Sequence, residues 1–300
     1  MDLQAFFVSK RGTRLAMWLG RNMPRPVGEA VVELGVRLVS RNNRSPLVQG
    51  IRVNQSVARG LPTDAPELDQ VVPEVLRNAG RGYYDLYHRV GQGREAVAEA
   101  VTFAPELVAM VQQNLASGRG TMLVGPHLGN FDLAMLAFAA SDYAIQAISY
   151  GVPPGGYELQ NRMRADAGYI VTPASGQAAR AALQRLRAGG VVATGIDRPP
   201  PNPAEGELVT FFGRPTHLFT GYARLALSTD ADLLMIKAEP TGNSRLHVGP
   251  VRRVELARTG NRKQDARLTA ESALAVAEEW IRCRPSQWML FHPIWPELMQ

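Results

Sequence analysis

The sequence is poor in cysteine and contains no long apolar run. Cys283 is the single cysteine, which excludes disulfide bonds within the chain and zinc sites built from cysteines. Nowhere do about 18 consecutive apolar residues occur, so no transmembrane helix is expected. Charges interrupt the N-terminal stretch MDLQAFFVSKRGTRLAMWLG before an apolar region reaches the length of a signal peptide. We therefore expect a cytoplasmic chain.

Lysine is also scarce. Lys10, Lys237 and Lys263 are the only lysines among 33 basic residues, which face 27 acidic ones and leave a net charge of +6. Arginine suits the recognition of phosphate and carboxylate, because its planar guanidinium binds two oxygens at once. An anionic membrane surface, a phosphorylated ligand and nucleic acid all fit this charge. No pattern of a nucleic-acid-binding module appears, so nucleic acid is not an expected partner.

Helical periodicity dominates the first part of the chain. Pro26 suits the first turn of a helix, and apolar residues then recur at helical spacing at Val27, Val31, Leu34 and Leu38. We predict an N-terminal helical region over residues 1–110 and a second, compact unit over residues 111–300. Near the start, Leu15, Met17 and Trp18 stand among arginines. They could lie in a membrane interface or pack against the core.

From residue 121 onward, short apolar segments alternate with helical ones. We predict strands over residues 121–125, 143–151, 169–174 and 191–197, with helices over 132–140, 158–168 and 178–190 between them. Alternation of this kind is typical of βαβ units. The fold class that it predicts is α/β, with a mostly parallel central sheet flanked by helices.

A histidine and an aspartate stand at the first strand-to-helix turn, PHLGN. This turn follows a strand at the carboxyl edge of the expected sheet, where open α/β sheets bind ligands. Asn130 suits a helix N-cap, Asp132 then falls in the first turn, and Gly129 lets His127 fold back toward that carboxylate. A histidine held by a carboxylate is a poised general base.

The same residues have a simpler interpretation. His127 would then be a hydrogen-bonded turn histidine, and Asp132 would only start a helix. No serine or cysteine nucleophile flanks the pair and no G-x-S-x-G motif occurs, so a base here would activate a hydroxyl of the substrate. One histidine and one carboxylate are too few ligands for a metal, and no metal site is expected.

The stretch His127-Leu-Gly-Asn-Phe-Asp132 resembles the His-x4-Asp motif of lysophospholipid and lipid A-type acyltransferases. Its Leu-Gly-Asn core is similar to the branch with lipid A secondary acyltransferases and phosphatidylinositol mannoside acyltransferases. Later blocks resemble the family in the same order: NRMRADAG, GGVVATGIDRP, the stretch from VTFFGRP to MIKAE, and PSQWMLFHPIWPE. The resemblance covers roughly residues 110–297. Two departures favour a peripheral relative nearer the mannoside type: the missing basic cluster after His292 and the missing N-terminal membrane-spanning helix.

The resemblance implies an acyltransferase whose catalytic core is residues 111–300. It would move a fatty acyl chain from acyl-CoA or acyl-carrier protein to a hydroxyl of a membrane glycolipid or phospholipid, without a cofactor. His127 would be the base, oriented by Asp132. Substrate-binding residues would be Gly129, Asn130, Arg162, Arg164 and Asp197, with Asp197 supporting the base or binding an acceptor sugar. Backbone N–H groups around Gly129 and the side chain of Arg164 would stabilise the oxyanion, and Arg162 and Arg164 could instead hold a phosphate. The expected place is the cytoplasmic face of the cell membrane, on its anionic surface.

Two other classes compete with this interpretation. A lipid-binding protein could keep the fold without catalysis, although the intact His127 and Asp132 argue against it. A nucleotide enzyme would explain the glycines at the turn, but the chain has neither the G-x-G-x-x-G fingerprint nor a Walker lysine.

Overall fold

The computed structural model describes residues 9–140, 144–149, 151, 155–166 and 168–299. Its first part is helical, as predicted, and consists of α1 (Lys10–Asn22), α2 (Arg25–Ser40), α3 (Pro46–Arg59), α4 (Leu68–Gln92) and α5 (Arg94–Glu99). Serine side chains start two of these helices: Ser9 accepts from the Gly12 N–H and Ser45 from the Val48 N–H. No helix in the described part of the chain is both long and apolar enough to cross a membrane.

The apolar stripe of α2 faces outward. Its members are between 41% and 59% exposed: Val27, Val31, Leu34 and Leu38. On α1, Leu15 and Trp18 are also exposed, at 46% and 54%, whereas Met17 packs against the core. Packing against the core therefore accounts for Met17 only. The other apolar side chains form an exposed apolar face on α1 and α2.

The described residues form the predicted parallel sheet. Its strands are β2 (Thr121–Gly125), β3 (Ile145–Ser149), β4 (Ile170–Pro173), β5 (Val191–Gly195), β8 (Asp232–Met235) and β11 (Arg252–Val254), in the order β11-β8-β2-β5-β3-β4. All neighbours are parallel except β11 and β8. The strand expected over residues 143–151 is shorter, and part of its predicted span lies outside the described residues.

Helices cover both faces of this sheet, as expected for parallel strands. They are α6 (Pro105–Ser117), α7 (Phe131–Ala140), α8 (Gly155–Asp166), α9 (Gly176–Arg187), α10 (Gly221–Thr229) and α11 (Arg262–Cys283). Every residue of β2 and β8 is buried. Strands buried in this way read as continuous apolar runs, which is why segments such as TMLVG were identifiable from the sequence.

Two smaller sheets were not predicted. One pairs β1 (Val101–Phe103) in parallel with β10 (Arg245–Val248), which also pairs antiparallel with β9 (Ala238–Gly242). The other is a hairpin of β6 (Glu207–Phe211) and β7 (Arg214–Leu218). Strands of three to five residues, half exposed, are too short for their periodicity to distinguish them from loops.

Residues 285–295, hereafter the C-terminal segment, are held by amide side chains of the N-terminal helices. Asn54 of α3 donates to the carbonyls of Leu290 and His292, at 3.0 and 2.8 Å, and accepts from the Ile294 N–H at 3.0 Å. Asn78 of α4 donates to the Ser286 carbonyl at 3.0 Å. Asn54 is buried, and its amide satisfies three backbone groups of this segment. These bonds position a segment that contacts the site.

Candidate active site

The register of β2 and β5 brings His127 and Asp197 together. Gly125 and Gly195 are the last residues of these neighbouring parallel strands, and they are paired with each other. His127 and Asp197 each follow two residues later, at the same carboxyl edge of the sheet. Ligands bind at this edge in open α/β sheets. His127 therefore lies at the sheet edge where it was expected, and the carboxylate beside it comes from the end of the neighbouring strand.

The Asp197 carboxylate contacts His127 through both of its oxygens. Oδ1 lies 2.6 Å from His127 Nδ1, and Oδ2 accepts from the His127 backbone N–H at 2.9 Å. The side chain of Asp197 is fully buried, while 28% of the His127 side chain is exposed. One carboxylate thus orients both the ring and the backbone of the histidine, and the ring still reaches solvent.

The charge state of Asp197 sets the tautomer of His127. Burial by itself would raise the pKa of Asp197, but the charge and hydrogen bonds of His127, followed by the indole N–H of Trp288, hold this pKa below its ordinary value. An ionised carboxylate only accepts hydrogen bonds, so Nδ1 must carry the proton. In the neutral imidazole, Nε2 is then the ring nitrogen with a free lone pair, which is the form that a general base requires.

Asp132 does not hold the imidazole in this structure. It is in the first turn of α7, as predicted, but its Oδ1 accepts from Nε and Nη2 of Arg164 on α8, at 3.1 and 2.6 Å. The expected pairing of His127 with Asp132 is therefore corrected to His127 with Asp197. The reason is competition: a guanidinium presents two donors to one carboxylate, and Asp197 already occupies Nδ1 of the histidine.

The Asp132–Arg164 pair is largely buried, with 18% and 11% of the two side chains exposed. Burial disfavours the charge of Arg164, but the carboxylate of Asp132 and the hydroxyl of Tyr157 raise its pKa above the ordinary value. Arg164 also donates to Asn161 at 2.6 Å. The guanidinium, which was expected to hold a phosphate or the oxyanion, is here engaged with protein acceptors.

Removing one partner of this pair is expected to destabilise the fold strongly. Arg164→Met leaves the Asp132 carboxylate without its countercharge, and we expect the free energy of unfolding in urea to fall by about 3–5 kcal/mol. Asp132→Leu combined with Arg164→Met should cost less than the sum of the single changes. Lys10→Met is the control. Its partner Glu158 lies on the same helix as Arg164, but the Lys10–Glu158 pair is 55% and 52% exposed, so its loss should change the free energy of unfolding little. Equal losses in Arg164→Met and Lys10→Met would contradict the prediction.

Two glycines make room for this arrangement. Gly129 has φ +68°, and a Cβ there would lie 1.9 Å from the Ala238 carbonyl oxygen. A Cβ on Gly195 would lie 2.7 Å from Cε1 of His127, so the imidazole rests directly against this strand end. The N–H of Gly129, which was expected near the oxyanion, donates to the Gln287 carbonyl at 2.9 Å. The turn is therefore anchored to the C-terminal segment.

Asn130 caps α7, as predicted. Its Oδ1 accepts from the Leu133 N–H at 3.2 Å, and its Nδ2 donates to the Gly82 carbonyl at 2.7 Å. Together with His127, Gly129 and Asp132, it lines a small cavity of about 60 Å³ that Tyr83 and Met289 also border. A larger surface depression of about 530 Å³ over residues 66–74 shares no residue with this site.

The remaining predicted residues fall in different places. Arg162 on α8 is exposed, and Asp197 is buried behind the histidine, where it supports the imidazole rather than facing a substrate. His292 lies nearby and accepts from Arg198 Nη2 through its own Nε2 at 2.8 Å. Burial, Arg198 and His127 lower the pKa of His292 to about 4, so it adds no positive charge to the site near neutral pH.

Trp288 was missed by the sequence reasoning. Its indole Nε1 donates to Asp197 Oδ2 at 2.7 Å, and its ring is buried. The block PSQWMLFHPIWPE was visible in the sequence only as part of a resemblance. A signal could have come from the tryptophan itself, since a buried indole N–H needs an acceptor.

The fold and the site together define an α/β protein with a histidine held by a buried carboxylate at the carboxyl edge of a parallel sheet. A family profile described as "Bacterial lipid A biosynthesis acyltransferase" matches residues 14–297. The chain belongs to this family and is an acyltransferase.

Named relatives agree with this assignment. The chain is 25% identical over 224 residues to the phosphatidylinositol mannoside acyltransferase of Mycobacterium tuberculosis (strain CDC 1551 / Oshkosh). The matched stretch covers 73% of this chain and 69% of the relative. The protein with the same name from strain ATCC 25618 / H37Rv gives the same identity and coverage. Both the mannoside branch and the lipid A branch of the resemblance are thus represented.

Proposed function

We propose that the chain transfers a fatty acyl group from acyl-CoA or acyl-carrier protein to a hydroxyl of a membrane glycolipid or phospholipid. The observation that carries the proposal is the contact of His127 Nδ1 with the buried Asp197, at 2.6 Å. It supports the tautomer in which Nε2 takes a proton, on a ring that borders a cavity. Family membership supplies the reaction class, and the names of the two mycobacterial relatives support a glycolipid acceptor.

In this reaction His127 Nε2 takes the proton of the acceptor hydroxyl. The oxygen attacks the thioester carbonyl, a tetrahedral intermediate forms, and the carbon–sulfur bond then breaks. The imidazolium returns its proton to the leaving thiolate, so the products are an ester and a free thiol. Asp197 stabilises the imidazolium between these steps, because its charge lies 2.6 Å from Nδ1.

We assign roles to the other predicted residues from their positions around the cavity. Gly129 and Asn130 form the turn beside the reacting atoms, and Asp132 with Arg164 forms a charged pair behind them. We assign this pair to shaping the cavity. Arg162, exposed on α8, is the arginine placed to meet a phosphate of donor or acceptor.

Binding to a membrane surface is part of the proposal. The exposed apolar stripe of α2, with Leu15 and Trp18 of α1, resembles the buried face of an interfacial helix. Arg11, Arg14 and Arg21 on α1 supply charge for anionic lipid. The protein would then rest on the cytoplasmic face of the membrane and meet its lipid acceptor there.

The test is thiol release from palmitoyl-CoA by the purified full chain, with and without a membrane lipid extract. We expect release to increase with the extract and an acylated lipid to appear in mass spectra of the products. Palmitoyl-acyl-carrier protein, run in parallel, identifies the donor that gives the higher kcat/KM. If the protein bound lipid vesicles but acylated no lipid from either donor, the proposal would be overturned. Such a result would support a lipid-binding protein.

A further inference from the structure

Three hydrogen-bond donors surround the Asp197 carboxylate, and they divide between its two oxygens. Oδ1 faces the His127 ring, whereas Oδ2 accepts from the His127 backbone N–H at 2.9 Å and from Trp288 Nε1 at 2.7 Å. A carboxylate with one oxygen held by two donors cannot rotate without breaking both bonds. The oxygen that meets the imidazole is therefore selected by the donors on the opposite side.

The indole of Trp288 is itself immobilised. It is 1% exposed, stacks on Phe212 with ring centroids 5.8 Å apart, and meets the edge of Phe211 at 6.1 Å. Close aromatic packing on two sides leaves one position for the N–H. Trp288 thus offers a donor whose direction is set by the core and not by solvent.

The backbone around Trp288 is also attached to the turn that carries His127. Leu128 and Trp288 form an antiparallel bridge, and the Met289 N–H donates to the His127 carbonyl at 2.8 Å. The Gln287 carbonyl accepts from the Gly129 N–H at 2.9 Å. The same segment therefore holds the histidine through its backbone and the carboxylate through the indole.

We infer that Trp288 is a positioning residue for the proposed acyl transfer: its indole N–H fixes the Asp197 carboxylate so that Oδ1 holds the imidazole of His127. The inference rests on the proposed function and adds a residue to it. Trp288 acts through Asp197, to which its indole N–H donates. Losing the N–H leaves Oδ2 with one donor and frees the carboxylate to turn, so fewer molecules have the imidazole correctly oriented.

The chain offers a matched control in Trp295. This residue is also fully buried, stacks on Phe211 at 5.9 Å and approaches Phe212 at 6.1 Å. Among the described residues, its Nε1 has no hydrogen-bond acceptor. Trp295→Phe therefore removes the same ring from the same aromatic cluster without removing a donor from Asp197.

The experiment compares Trp288→Phe with Trp295→Phe in thioester cleavage by the full chain. For Trp288→Phe we expect kcat to fall about 10- to 100-fold, because a hydrogen bond to a charged group is lost, while KM stays within about twofold. Trp295→Phe should keep kcat within about threefold. Equal losses of kcat in both variants would overturn the inference, since they would mean that only packing matters. An unchanged kcat in Trp288→Phe would overturn it as well.

A spectroscopic readout separates this inference from the proposed function. The short bond to Asp197 predicts a strongly downfield proton resonance for His127 Nδ1, which is assigned by its loss in His127→Ala. It should be broadened or shifted in Trp288→Phe and kept in Trp295→Phe. If the wild type cleaves no thioester, the proposed function fails while this comparison still tests Trp288. The same resonance in both variants as in the wild type would overturn the inference.

Because Trp288→Phe also removes core volume, a second variant isolates the N–H. Site-specific replacement of Trp288 by 3-benzothienylalanine keeps the bicyclic shape and exchanges the N–H for sulfur. We expect the same fall in kcat with little change in the urea midpoint. If this variant kept the wild-type kcat, the inference would be contradicted, and a folding defect could not explain the result.

Discussion

His127→Ala is expected to lower kcat/KM for acyl transfer by at least about 10³-fold, because the imidazole that takes the proton of the acceptor hydroxyl is removed. The side chain is 28% exposed, and its Nδ1 contact with Asp197 is its one described side-chain hydrogen bond. Truncation should therefore leave the fold intact. The measurement is thioester cleavage in the presence of lipid extract, with the urea midpoint of each variant as a check on folding.

His247→Gln is the matched control for this prediction. His247 lies on β10, where its Nδ1 contacts the Thr102 hydroxyl at 3.0 Å, outside the His127 site. It should keep kcat/KM within about twofold, as expected for a side chain away from the chemistry. A His127→Ala enzyme that retains more than a tenth of the wild-type kcat/KM would show that the histidine is structural and that another group is the base.

Asp197→Asn is expected to lower kcat by about 10²–10⁴-fold, and the cause is the tautomer of His127. Oδ2 of Asp197 faces two groups that can only donate, the His127 backbone N–H and Trp288 Nε1. The amide oxygen of an asparagine must take that position. Its NH2 group then points at His127 Nδ1, which has to accept, and the ring proton moves to Nε2. The base is lost although the hydrogen bonds are kept.

Asp197→Ala provides the contrast. Alanine removes the carboxylate but forces no tautomer, so Asp197→Asn should be at least as inactive as Asp197→Ala despite its smaller chemical change. Formate, small enough to enter the vacated space, should restore part of the activity of Asp197→Ala and none in Asp197→Asn. If Asp197→Asn instead retained wild-type kcat, the carboxylate would have no part in orienting the imidazole, and the correction of the His127 partner would be wrong.

Much of the local structure follows from short-range chemistry and was predictable. Every residue of β2 is buried, and the largely apolar run TMLVG indicates a strand that is covered on both faces. Asn130 caps α7 because its side chain reaches a free N–H three residues later. Pro26 lies in the first turn of α2, where its missing N–H costs nothing. Each of these features depends on neighbours in sequence.

The partner of the histidine depended on distant parts of the chain. Asp132 was the nearest carboxylate along the sequence, but Arg164 on α8 engages it. Asp197 was visible as an acidic residue at the end of a strand. Its contact with His127 follows from the pairing of β2 with β5, which are separated in sequence by β3 and β4. The periodicity of a strand does not indicate which strand it pairs with in the sheet.

By itself, the sequence determined an α/β chain with a histidine at the carboxyl edge of a parallel sheet, a capped helix behind it, and a resemblance that family membership confirms. Only the tertiary structure decided that Asp197 and Trp288 complete the site and that Asp132 belongs to Arg164. The physical reason is range. Strand runs, caps and glycine turns are set within a few residues, whereas strand order and the competition of donors for one carboxylate are settled when segments far apart in sequence pack together.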